Sequence, residues 1–242
     1  MTSNLVIAGR MSLALLLATG AFAAAAPVVT GFPFSDETLN YTLNMPGGPK
    51  LGEGKLTAKR GAGTSGWNFE LSLDAPVPMF AIHDLYTSHS STDYCSTEFT
   101  KKFEHGQKKT SERETIDRSH GSVVRTTLTI PGGGKSEFSV PDCAKDALTM
   151  LMYTRKEMGQ GRVPAAQRIL FGSMYDAQFV YTGPVTVQDG GKPVTADRLV
   201  CTLKGPKSNV QIELIFARDA ARTPLQMRLP LAVGSFSLEL VR

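Results

Sequence analysis

Histidine, cysteine and tryptophan are scarce in this chain of 242 residues, which holds four, three and one of them. So few imidazoles and thiols leave little material for a metal centre. Cys95, Cys143 and Cys201 stand 48 and 58 residues apart, a spacing that fits neither a zinc knuckle nor a Cys-x-x-Cys redox motif. An excess of one charge is also missing: 26 Lys and Arg against 22 Asp and Glu give +4, a field too weak to draw nucleic acid. Beyond the first 26 residues no long hydrophobic run exists, which excludes a polytopic membrane protein. No Gly-x-Ser-x-Gly elbow occurs. Gly132-Gly133-Gly134-Lys135-Ser136 looks like the end of a phosphate loop, but Thr129 stands where its first glycine belongs. A strand-like Glu137-Phe138-Ser139-Val140 follows where a helix is required, so a glycine hairpin is the better reading. No catalytic residue, cofactor site or metal site emerges.

What the chain does have begins with an address. Arg10, the Leu-rich stretch through Leu17 and the small residues around Ala21-Phe22-Ala23 read as a secretory signal peptide over residues 1–25. That leaves one domain, residues 26–242, destined for the periplasm or secretion, with no integral span after cleavage. In an oxidising compartment three cysteines leave one disulfide and one thiol. Cys201 shares parity with Leu199 and Leu203 and should face the core, so Cys95 and Cys143 are the expected pair.

Period-two alternation dominates the rest. Leu39, Tyr41 and Leu43 alternate with polar residues, as do Trp67, Phe69, Leu71 and Leu73. The same holds for Ile212, Leu214 and Phe216, for Leu225, Met227 and Leu229, and for Phe236, Leu238 and Leu240. Strands with one buried and one wet face, separated by Gly- and Pro-rich turns, predict a single curved antiparallel meander, a half-barrel or open barrel. One segment has helical spacing, residues 142–158, with Asp142 as N-cap and Asp146 near the positive end of the dipole. Asp146 and Arg155, nine residues apart, lie too far from each other to act as one acid–base pair and are read as structural. Residues Lys108 to Arg118 carry mixed charge with Ile116 as their one large apolar side chain, which reads as an exposed or edge strand.

Three stretches carry a family resemblance: Asp146-Ala147-Leu148 through Tyr153 and Arg155; Gly161-Arg162-Val163-Pro164 leading to Phe171-Gly172; and Phe216 through Pro224 with the final strand. Over roughly residues 80–242 the chain resembles the exported bacterial family called domain of unknown function 3108. The resemblance implies a cell-envelope location and a mostly β fold, and it transfers no catalytic residue. The pattern also looks like that of the periplasmic lipoprotein carriers, which hold an apolar concave face.

The function expected from these readings is binding of a hydrophobic small molecule or lipid between helix and sheet. The helix would offer Leu148, Leu151 and Met152. The C-terminal strands would offer Leu214, Phe216, Leu225, Met227, Phe236 and Leu238. The alternative is a structural envelope protein that meets a protein partner at an exposed strand edge.

Overall fold

The computed structural model describes residues 29–45, 48–63, 66–76, 81–206, 208–231 and 234–242. The expected signal peptide lies outside them. The strands β1 (Glu37–Asn44), β2 (Lys50–Arg60), β3 (Trp67–Ala75), β4 (Ile82–Ser90), β5 (Ser96–His105), β6 (Lys108–Asp117), β7 (Ser122–Thr127) and β8 (Lys135–Ser139) form an antiparallel meander. A short β9 (Lys145–Asp146) leads straight into the helix α1 (Ala147–Gly159). Then β10 (Gln167–Leu170), β11 (Met174–Asp189), β12 (Lys192–Lys204), β13 (Asn209–Ala217), β14 (Pro224–Leu231) and β15 (Gly234–Leu240) run as a second meander. β1 and β15 pair, with Leu43 opposite Leu238, so the first and last strands lie side by side at the centre of one 15-stranded sheet. The expected mainly β fold with one packed helix is thus what the chain adopts. Among the described residues no helix is long and apolar enough to cross a membrane.

The alternation sets the curvature. Trp67, Phe69, Leu71, Leu73 and Ala75 are all buried along β3, while Asn68 and Asp74 are exposed. The apolar faces of β1 to β4 and β12 to β15 merge into one core around Phe69, Leu214, Phe216 and Leu238, against which α1 sets Leu148, Met152 and Met158. The sheet curls until its two margins meet. Ile116 and Val123 of β6 and β7 share a buried cluster with Ala144 and Leu170 from the other margin. The Ser96 amide donates to the Ala144 carbonyl at 2.9 Å across the same seam. Cys95 and Cys143 form a disulfide there, and Cys201 is a buried free thiol.

Two expectations are corrected. The strand at Lys108 to Arg118 is not an edge: β6 pairs β5 on one side and β7 on the other, and the margins are β8 and β9. Mixed charge there is a cross-strand ladder between paired strands, with Glu112 bound to Lys101 and Lys109 to Glu104. The helix starts later than residue 142. Asp146, not Asp142, is its N-cap, because Lys145 and Asp146 are held as a strand beside Ile169 and Leu170. Asp142 is exposed and faces Arg118. At the other end the amides of Gly161 and Arg162 return to the carbonyls of Met158 and Glu157, both at 3.0 Å. Gly161 takes a φ of +74°, a left-handed conformation that favours glycine, and stops the helix.

The disulfide closes a loop 48 residues in sequence separation and ties the start of β5 to the approach to α1. In the chain-entropy account such a loop contributes about 4 kcal/mol. Reduction, or Cys143→Ser, should lower the guanidinium midpoint by a corresponding amount. A midpoint unchanged by reductant would show that the packed seam holds without the bond.

Candidate functional site

An apolar cavity of about 240 Å³ lies between α1 and the concave face of the sheet. The helix contributes Leu148, Met150 and Leu151, and Thr154 and the Cys201 thiol add small polar points. The opposite wall is aliphatic, with Leu71 and Leu73 from β3, Ile212 and Leu214 from β13, and Met227 from β14. Burial pushes the Cys201 thiol up to about 12, so it stays neutral and behaves as part of the apolar lining. The volume exceeds the roughly 150 Å³ at which an apolar protein cavity stays dry and accepts benzene, and approaches the roughly 300 Å³ at which ligand pockets begin.

Of the residues expected to form such a cavity, Leu148, Leu151, Leu214 and Met227 line it. Met152, Phe216, Phe236 and Leu238 are buried in the packed core beside it. Leu225 is a correction. Phe216 pairs Pro224 and Ile215 pairs Gln226, so Leu225 is the extra residue of a bulge. It packs with Ala196 and Ile215 in a cluster of its own. An aromatic wall was not anticipated: Tyr86, Phe99 and Phe171 line the cavity with ring centroids 5.9–6.4 Å apart. Strand β4 hides its part of this wall, because its inward set is Asp84, Tyr86, Ser88 and Ser90, which shows no apolar alternation.

The helix is clamped at both ends. Asp146 is fully buried: Oδ1 accepts from the amides of Leu148 and Thr149 at 2.9 and 3.0 Å, and Oδ2 from the hydroxyls of Ser88 and Ser96, both at 2.6 Å. Burial pushes its carboxyl upward, and these donors oppose that. At the far end Arg155, 1 % exposed, forms a two-pronged pair with Glu37 at 2.6 and 3.0 Å. Its Nε also donates to the carbonyls of Ala221 and Arg222, each at 3.2 Å. Its guanidinium stacks over Phe32. These two residues reach different partners on different strands and share no reacting space.

A second polar group sits at the seam, behind the aromatic wall. Glu114 of β6 lies opposite Phe99 of β5 and opposite Arg125 of β7. It is fully buried, and among the described residues neither carboxyl oxygen has a hydrogen-bond partner of good geometry. Burial pushes this carboxyl up, while Lys101, the Gly172 amide and Arg125 pull in the other direction without prevailing. Lys101 is itself buried, pairs with Glu112 at 2.8 Å, and lies 5.5 Å from the Phe171 ring. Arg125 donates to the Gly172 carbonyl, joining β7 to the turn after β10. Gly172 has a φ of +71°, a left-handed conformation that favours glycine, and a side chain there would press on the flexible end of Lys101, whose Nζ would lie 2.6 Å away. The four histidines are dispersed: His83 on Asp74, His105 on Asp84, His120 on Asp117, and His89 on Asn68. Among the described residues no three potential ligands gather for a metal.

A family described as Protein of unknown function (DUF3108) matches residues 39–241. The chain belongs to this family. The match begins at β1, well before the resemblance expected from residue 80, so the whole sheet is part of the DUF3108 unit. The stretches that carried the resemblance all build the DUF3108 fold. Asp146 and Arg155 clamp the helix, and Arg162 grips Glu157 at 2.8 and 2.9 Å where the helix ends. In the β13–β14 turn Asp219 accepts from the Thr223 amide and hydroxyl at 2.9 and 2.7 Å. Arg218 and Arg222 of that turn converge on Asp197 at 2.8 and 2.6 Å. No curated protein matches the chain. In fold it is similar to the crystal structure of a beta-barrel-like protein of domain of unknown function DUF1849 from Brucella abortus, with a TM-score of 0.60 and 11% identity, covering 85% of this chain and 95% of that one.

Arg155→Met should cost about 3–5 kcal/mol, because it leaves Glu37 buried without its cation. Adding Glu37→Gln should recover part of that loss, and chemical denaturation of the four-member cycle measures it. Glu114 carries a pH signature. Its folded-state carboxyl holds its proton more tightly than the ordinary glutamate at 4.5, so the folded state binds more protons within that window. Its contribution therefore falls as pH rises from 4.5 through the raised value. Glu114→Gln, which carries no titrating proton, should remove that decline. Parallel slopes of stability against pH for the two proteins would refute the assignment.

Proposed function

We propose that this protein is an exported cell-envelope binding protein that holds one small apolar ligand, such as the chain of a lipid, in the cavity between α1 and the concave sheet. The observation that carries the reading is the cavity itself. Native cores pack close to crystal density, and a space of about 240 Å³ bounded by aliphatic and aromatic side chains departs from that rule. Its lining suits a non-directional ligand: Met150 and Met227 can repack around irregular shapes, and among the described residues no charged group lines it. Export is supported by the Arg10-to-Ala25 pattern and by a disulfide at the seam, which persists in oxidising compartments.

One feature favours the second reading, a protein partner at a strand edge. β10 covers β11 only as far as Ala177, so from Gln178 onward β11 pairs on one side with β12 and, among the described residues, leaves its other side unpaired. Residues Gln178 through Gln188 contain no charged side chain, and Val180 and Tyr181 are exposed. Such an edge could accept a further strand. Pro184 removes a donor from the middle of it, and Gly183 bends it at a register shift, which are devices that blunt pairing. The cavity therefore takes precedence.

An uncharged phenyl-naphthylamine dye, titrated into purified protein, tests the cavity. Saturable fluorescence enhancement is expected, and Leu151→Trp, which fills the space, should weaken it at least tenfold with circular dichroism unchanged. No saturation up to the dye's solubility limit would overturn the reading.

A further inference from the structure

The cavity has a closed end and an open one. All the anchors of α1 lie at the same end of the sheet: Ser88 and Ser96 stand beside the β4–β5 turn, Glu37 opens β1, and Ala221 and Arg222 belong to the β13–β14 turn. The helix is therefore laid across that end as a cap. The β3–β4, β10–β11, β12–β13 and β14–β15 turns stand at the other end, and among the described residues no helix crosses it. We propose that the cavity takes one unbranched hydrocarbon chain, admitted tail first from the uncapped end and stopped by α1, with its polar head left at the mouth. The proposal rests on the cavity being a ligand site and names the class of ligand and its direction.

The lining follows the same axis. Leu214 of β13 and Met227 of β14, on the side of the cap, pair with each other and are buried. Farther along these strands, toward the uncapped end, Ile212, Val210 and Leu229 are only half-buried. So are Phe171, in the β10–β11 turn, and Tyr175, at the start of β11. The apolar lining thus passes out toward water at the uncapped end, which makes that end the mouth.

The shape selects a chain. From Leu214 to Val210 the lining spans four residues of one strand, about 13 Å at a rise of about 3.3 Å per residue. Spread over that length, about 240 Å³ gives a cross-section of about 18 Å², the width of one hydrocarbon chain and too little for two side by side. An apolar cavity of about 150 Å³ accepts the six carbons of benzene, so this one has room for about nine.

The chemistry of the closed end sets the direction. The Thr154 hydroxyl donates to the Met150 carbonyl at 2.8 Å and is already used within the helix. The Cys201 thiol is a weak donor. A head group carried in first would lose its water and find no partners to replace it, whereas a terminal methyl has no hydrogen bonds to lose. The head therefore stays at the mouth, where water solvates it.

Displacement of the phenyl-naphthylamine dye by straight-chain 1-alkanols from hexanol to dodecanol decides this. Displacement should tighten about fourfold with each added carbon, the worth of one buried methylene, until about nine carbons are inside, and then level off as further carbons remain in water. Leu148→Ala, which deepens the closed end, should move the levelling to longer chains, while Leu229→Ala at the mouth should leave it in place. Should Leu148→Ala fail to fold, the series on the unaltered protein decides by itself. Decanoate, ionised at neutral pH, should displace within about tenfold of decanol, because its head remains hydrated. A larger penalty overturns tail-first entry and leaves the cavity standing. Tightening that continues unbroken to dodecanol overturns the closed-ended chamber and likewise leaves the cavity standing. Failure of every alkanol to displace bound dye overturns the chain assignment, and absence of saturable dye binding overturns the cavity reading with it.

Discussion

The buried pair between Arg155 and Glu37 is the interaction on which the arrangement depends. An arginine taken wholly out of water is tolerated only when its donors are matched, and Arg155 spends them on a carboxylate and two carbonyls. Those partners come from opposite ends of the chain: Glu37 opens the first strand, while Ala221 and Arg222 belong to the turn before β14. One side chain in the middle of the sequence thus fixes the helix against both. The β1–β15 pairing at the centre of the sheet is reinforced nearby by Tyr41, whose hydroxyl donates to the Pro224 carbonyl at 3.0 Å. Such a pair adds less to net stability than its Coulomb energy suggests, because both ions were solvated before folding. Its value lies in geometry, since few other docking positions of the helix could satisfy it.

The same logic operates at the opposite end of the helix. Asp146 binds two of its own amides and two hydroxyls from β4 and β5. The disulfide one turn of chain earlier pins the approach. Between these anchors α1 has a fixed height above the sheet. Leu148, Met150 and Leu151 reach toward the strands but cannot settle further without breaking one of the clamps. A helix free to sink would close the gap and recover packing energy. The cavity is thus a consequence of two polar anchors that outweigh the packing between them.

Most of the strand framework was legible in the sequence because one-sided burial imposes alternation. The alternating runs around Tyr41, Phe69 and Leu214 became strands with those residues inward. The core-facing parity of Cys201 likewise read true, since a small hydrophobe obeys the same period. What escaped were features that periodicity does not encode. The helix start moved from Asp142 to Asp146 because a two-residue parallel pairing, a tertiary event, claimed Lys145 and Asp146. Leu225 left the cavity face because a bulge shifts parity by one residue, and a bulge leaves no mark in an alternating pattern. The charged strand β6 looked like an edge because its inward residues include Glu112 and Glu114, which a hydrophobicity pattern counts as outward.

That last misreading leads to the seam. A strand with carboxylates on its inner face can be buried only if something inside matches them. Lys101 matches Glu112, two residues along in the register from the Phe99–Glu114 pair. Arg125 is drawn instead to the Gly172 carbonyl, where it holds the turn after β10 against β7. Were Arg125 to turn to Glu114, the carboxyl would be satisfied, but the margins of the sheet would lose a contact that holds them together. Glu114 is left over from that division of partners. A sheet whose margins meet largely through side chains, with the Ser96–Ala144 backbone bond beside them, has fewer donors at the closure than a full barrel has. The cost of that closure is concentrated on one buried carboxyl, placed one ring's width from an apolar cavity.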